Sequence, residues 1–140
     1  MSMMRELYAQ TIMDHYQRPR HHGALEDADL EEHLLNPLCG DEVTVYASFD
    51  GDKVTGVGFE GRGCSISQAS ASMMTGRLID KSREEAEAEI QRFKAMMTGD
   101  EEFPEDDDLT ALKGVIQYPS RIKCATLAWT AFQQGLENSK

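Results

Sequence analysis

The stretch that decides the fold is Asp41-Glu42-Val43-Thr44-Val45-Tyr46-Ala47-Ser48-Phe49-Asp50-Gly51-Asp52-Lys53-Val54-Thr55-Gly56-Val57-Gly58-Phe59-Glu60-Gly61-Arg62-Gly63-Cys64. Val43, Val45, Ala47 and Phe49 alternate with polar residues, Asp50-Gly51-Asp52 makes a turn, and Val54, Val57 and Phe59 resume the pattern imperfectly. This predicts an antiparallel hairpin. The outer ends of two paired strands lie side by side, so Cys39 and Asp41, ahead of the first strand, are expected close to Cys64, behind the second.

Immediately after the hairpin, Gly61-Arg62-Gly63-Cys64 leads into Ser65-Ile66-Ser67-Gln68-Ala69-Ser70-Ala71-Ser72-Met73-Met74-Thr75, a run of small residues with apolar ones between. It reads as a tight turn entering a closely packed helix, with Cys64 at the helix N-terminus, where N–H groups and the helix dipole favour a thiolate. Upstream, Met4, Leu7, Tyr8, Thr11, Ile12 and His15 recur at helical spacing before Arg18-Pro19, which predicts an amphipathic helix lying across the sheet. Polar residues dominate from Arg20 to Glu32, and Glu32 to Leu35 can add a short strand. Downstream, Ser82-Arg83-Glu84-Glu85 fits a capping box, and Ala86, Ile90, Phe93 and Met97 form a helical stripe ending near Gly99. Seven acids crowd residues 100–108 around Phe103-Pro104, the pattern of a solvated loop. Leu109, Leu112, Val115 and Ile116 suggest a short helix closed by Tyr118-Pro119, after which Ser120 is placed to cap a last helix with Cys124 in its first turn and Ala125, Ala128, Trp129, Phe132 and Leu136 on its apolar face. Without repeats or an inter-domain linker, residues 1–140 read as a single domain of α+β class, a small antiparallel three-stranded sheet with helices packed mainly on one face.

Composition narrows the function. Twenty-five Asp and Glu against 14 Lys and Arg leave a formal charge of −11, which argues against nucleic acid or an anionic membrane as partner. Three cysteines cannot pair completely among themselves, so a reducing, cytoplasmic setting is expected rather than a disulfide framework. Arg5, Glu6 and Asp14 interrupt any signal-peptide core, and no apolar run is long enough to span a bilayer.

A Cys-Gly-Asp turn at the hairpin end and cysteines at two helix starts offer three thiolates and a carboxylate, a set that suits tetrahedral zinc. There is no Cys-x-x-Cys, and buried structural cysteines with a turn aspartate are the competing reading. His15, His21, His22 and His33 are alternative ligands, each more ordinary as a surface or packed histidine. Neither a phosphate loop nor a Ser-His-Asp arrangement is evident.

Asn36-Pro37-Leu38-Cys39-Gly40-Asp41, the stretch Gly61 to Met74, and Lys123-Cys124-Ala125-Thr126-Leu127-Ala128-Trp129 together resemble the three cysteine motifs of the IscU-related iron–sulfur assembly proteins, the superfamily of NifU N-terminal-like domains. Within it the chain is most similar to the SufU branch. That resemblance implies a zinc-dependent sulfurtransferase with one zinc per chain held by Cys39, Asp41, Cys64 and Cys124. It implies persulfide sulfur taken from a SufS-type cysteine desulfurase and handed to a downstream acceptor or iron–sulfur scaffold. It also implies that a histidine of the desulfurase replaces Cys39 on zinc and frees it as sulfur acceptor. The alternatives are a scaffold holding a transient iron–sulfur cluster and a purely structural zinc module. Against the scaffold stand Lys123, where scaffold members place a histidine, and Gln117-Tyr118-Pro119-Ser120-Arg121 in place of their Leu-Pro-Pro-Val-Lys motif. The acid-rich segment between Cys64 and Cys124 also fits the sulfur-transfer branch.

Overall fold

The computed structural model describes residues 3–37, 40–100, 103 and 107–138, with side chains from residue 8 onward. Alternation in the hairpin is realised as β2 (Asp41–Asp50) and β3 (Lys53–Arg62), joined through Gly51 at φ +62°, and the weak strand signal upstream becomes β1 (Leu30–Asn36). The sheet is antiparallel in the order β1-β2-β3. The imperfect pattern in the second strand has a cause. Ser48 pairs with Gly56 but Phe49 with Val54, so a bulge at Thr55 changes which residues face inward, and Val54, Val57 and Phe59 are all buried despite their uneven spacing.

Val43, Val45, Ala47, Val57 and Phe59 lie beneath two helices, α2 (Ser65–Leu78) on β3 and α4 (Pro119–Asn138) on β1 and β2. Gly135 of α4 meets the Leu30 side chain so closely that an added Cβ would sit 2.7 Å from it. At the free edge of β3, residues 21–25 pair with Phe59 and run against Gly56 and Gly58. Gly23 donates its N–H to the Phe59 carbonyl at 2.7 Å, and a Cβ on Gly58 would meet the Gly23 carbonyl at 2.5 Å.

The small-residue run is explained by α2 being enclosed. It packs on α1 (Met3–Gln17), α3 (Arg83–Met97), α4 and β3, with Ser67, Ser70, Ser72 and Thr75 all buried. No buried side-chain polar atom among the described residues lacks a partner. The expectation that α1 lies across the sheet is corrected, since its main contacts are α2 and the 3-10 helix Asp108–Gln117. His15 explains that placement. Buried at 5% exposure, it bonds Ser72 Oγ through Nδ1 at 2.8 Å and Asp108 Oδ2 through Nε2 at 2.7 Å, pinning three helices together. A Ser-His-Asp series therefore exists where the sequence showed none. Ser72 is itself buried and already accepts the Arg20 N–H at 2.8 Å, which makes the trio a packing element.

Two further local expectations change. Helix α4 begins at Pro119, whose fixed φ suits a first helical position and whose missing N–H costs nothing there, so Ser120 lies inside the helix and Cys124 in its second turn. In the acidic segment Asp100 and Asp108 are exposed, as a solvated loop requires, but Phe103 and Asp107 are anchored. Phe103 is buried between the guanidinium groups of Arg77 and Arg92, 5.1 and 4.1 Å from its ring centre, and Asp107 binds Arg77 at 2.6 Å while capping Leu109 N–H. No helix among the described residues is long and apolar enough to cross a membrane.

Candidate metal centre

Three elements converge at one end of the sheet. Asp41 opens β2, Cys64 is the residue capping α2, and Cys124 projects from α4; their ligand atoms all lie within 4.8 Å of one another. Asp41 and Cys124 are fully buried and Cys64 is half-buried. Cys39 lies outside the described residues.

Each partner is fixed by backbone chemistry. The Cys64 N–H, one of the unpaired donors at a helix start, gives its hydrogen to Asp41 Oδ1 at 2.9 Å, and the Cys64 thiol faces Oδ2 at 3.9 Å. The Cys64 sulfur makes no capping bond to its own helix. Gly63, at φ +148°, admits this approach because it has no side chain. The Cys124 sulfur is 3.7 Å from the Ser120 carbonyl and takes the Asn36 amide at 4.0 Å. Asn36 closes β1 opposite Asp41 and accepts the Gly40 N–H at 2.9 Å, with Gly40 at φ +71°. The sequence argument did not single out Asn36 as a site residue, although it opens the first cysteine motif.

Arg121 stands exposed one helical turn before Cys124, with its guanidinium directed to both sulfurs. The Cys64 charge foremost, then hydrogen bonds to Cys124 and Cys64, raise its pKa above the usual arginine value. The histidines are elsewhere: His15 binds Ser72 and Asp108, His21 meets Thr75 Oγ1 at 3.1 Å, His22 packs edge-on to Phe59 and His33 faces Glu42 at 3.8 Å. Among the described residues none of them joins the candidate cluster.

Two sulfurs and one carboxylate oxygen suit zinc by chemistry and by size. Bonds of about 2.3 Å at tetrahedral angles put two zinc-bound sulfurs roughly 3.8 Å apart. The three groups, within 4.8 Å of one another, need only small shifts to close on an ion.

The NifU-like N-terminal domain model matches residues 7–139. A zinc-dependent sulfurtransferase, SufU, of Bacillus subtilis strain 168 is 47% identical over 93% of this chain and 89% of its own. An iron–sulfur cluster assembly scaffold protein, IscU, of Streptococcus pyogenes serotype M1 is 41% identical over 99% of this chain and 88% of its own. Among solved structures, a proposed iron–sulfur cluster assembly scaffold protein for the SUF system from Fervidobacterium islandicum AW-1 superposes with a TM-score of 0.84 at 39% identity, covering 94% of this chain and 98% of the other. The N-terminal part of a NifU-like protein from Brucella abortus, at 24% identity and covering 99% and 97%, shares the fold with a TM-score of 0.86.

Proposed function

Because the chain belongs to the family of NifU-like N-terminal domains, of the IscU and SufU type, we propose that it is a zinc-dependent sulfurtransferase accepting persulfide sulfur from a SufS-type cysteine desulfurase for iron–sulfur cluster assembly. The observation that carries this reading is the gathering of Asp41, Cys64 and Cys124 at one end of the sheet. Cys39, two residues before Asp41, supplies the fourth ligand. Lys123 beside Cys124 supports transfer over cluster building, because an ammonium offers no lone pair to a metal where a histidine would.

Zinc held by these residues would keep their thiols deprotonated at neutral pH and protected from reaction. Cys64 and Cys124 belong to helices and Asp41 to a strand, and all three are held by packing and hydrogen bonds. Cys39 is followed by Gly40, whose backbone is left-handed, so Cys39 would be the residue freed from a bound ion at least structural cost. Its thiolate attacks the outer sulfur of the desulfurase persulfide. One S–S bond forms on Cys39, the partner's S–S bond breaks, and the electron pair departs with the partner's cysteine thiolate. Arg121, exposed beside the two remaining sulfurs, offers a positive charge to the anionic sulfur on its approach.

The alternative, a cluster scaffold, has the name of the Streptococcus pyogenes relative in its favour. One experiment separates them. Protein purified without added metal is expected to carry about one zinc per chain, as four-ligand sites do, and no visible absorption. After incubation with desulfurase and cysteine, alkylation and mass spectrometry should find persulfide on Cys39. Iron with labile sulfide would establish the scaffold, and persulfide persisting with full activity on Cys39→Ser would move the acceptor role to Cys124.

A further inference from the structure

Ser70 is fully buried in α2, six residues beyond Cys64. Its hydroxyl donates to the carbonyl of Ala125, the residue after Cys124, and its oxygen accepts the indole Nε1–H of Trp129 at 2.9 Å. Trp129 is held in turn by stacking on Phe93, with ring centres 4.1 Å apart and planes 14° from parallel. The other buried hydroxyls of α2 are used elsewhere: Ser67 turns back to the Cys64 carbonyl, while Ser72 and Thr75 serve His15, Arg20 and His21.

The Ala125 carbonyl sits in the interior of α4, where the helix ladder already offers it an N–H. A carbonyl has two lone pairs, so it can take the Ser70 hydroxyl as well without breaking the helix. The bond thus joins α2, whose first turn positions one thiol, to the residue adjoining the other. Helices faced with small side chains pack closely but have few protrusions to stop them sliding. A slip of one residue's rise, about 1.5 Å, is roughly three times the tolerance of about 0.5 Å that a functional site allows.

We propose that Ser70 is a positioning residue whose bond to Ala125 sets α2 against α4 and thereby presets the separation of the Cys64 and Cys124 sulfurs. The consequence for metal binding rests on the zinc reading above, whereas the consequence for sulfur separation does not. An alanine would fill nearly the same volume at position 70, so the hydroxyl, rather than bulk, is what the site requires.

The test compares Ser70→Ala with Trp129→Phe, which removes the indole donor but leaves the Ser70–Ala125 bond in place. Zinc affinity of the full chain is measured by chelator competition. The rate of Cys64–Cys124 disulfide formation with diamide is measured on metal-free protein in a Cys39→Ser background. Ser70→Ala is expected to weaken zinc binding about tenfold, the lower end of what loss of outer-shell support costs. It should also change the disulfide rate by more than about twofold, since exchange depends on access between sulfurs. Trp129→Phe is expected to lower the melting temperature and leave both quantities within about twofold of the parent. A parent that binds no zinc would overturn the zinc reading and leave the disulfide rates to decide the role of Ser70. Disulfide rates unchanged by Ser70→Ala, or changed equally by Trp129→Phe, would overturn the proposal.

Discussion

A methyl group at Gly63 would lie 2.1 Å from Asp41 Oδ1, inside any permissible contact, and the backbone there has φ +148°. Gly63→Ala must therefore push the carboxylate away from the Cys64 N–H or move the turn that carries Cys64. The expected outcome is a loss of about 1 to 3 kcal/mol in stability from backbone strain. Zinc affinity should fall at least about tenfold, as when support for a ligand is removed. Chelator competition and denaturant unfolding check the two effects separately, and an unchanged affinity would show that the carboxylate is not a ligand. Gly-x-Gly-Cys was legible in the sequence as a place of close approach. That the approaching group is the Asp41 carboxylate was expected only through hairpin geometry, and Asn36 at the Cys124 sulfur became visible only when β1 brought it there.

At the scale of elements, local chemistry predicted well where caps are made by neighbours in sequence. The Ser82 box forms as read: Glu85 N–H donates to Ser82 Oγ at 3.0 Å, and Ser82 N–H to Glu85 Oε1 at 2.9 Å. Ser82→Ala should cost about 1 kcal/mol near neutral pH, the usual worth of an N-cap, without changing zinc affinity. The Glu85 carboxyl is held below its ordinary pKa by the Ser82 N–H and then the Ser82 hydroxyl. A lowered pKa in the folded state means that this contribution is complete above the ordinary glutamate range and lost as pH falls through the lowered value. Acid unfolding of Glu85→Gln, which removes the titrating carboxyl, should accordingly show a weaker pH dependence in that range than the parent. Identical profiles would show that the box adds no pH-dependent stability. The start of α4 was misjudged because Ser120 is a good cap by itself; Pro119 ahead of it is a better first residue of a helix.

At the scale of the whole molecule, Trp129, Phe59, Phe93, Phe132, Met74, Leu78, Ile90 and Leu112 are fully buried, drawn from β3, α2, α3, α4 and the 3-10 helix. A core assembled from so many elements should not depend on an ion at one end of the sheet. Zinc removal is expected to preserve the far-ultraviolet circular dichroism, and a random-coil spectrum would make the metal a requirement for folding. The sequence by itself determined the hairpin, the helix following it, the capping box and the convergence of Asp41 with Cys64, because each depends on residues near in the chain or on the two-residue alternation of strands. Tertiary structure alone decided where α1 lies, how Phe103 and Asp107 are anchored, and which partner each buried hydroxyl of α2 serves. Those outcomes depend on pairings such as His15 with Asp108 and Ser70 with Ala125, between residues far apart in the chain. Many serines and acids could satisfy such partners equally well by chemistry, and packing selects among them.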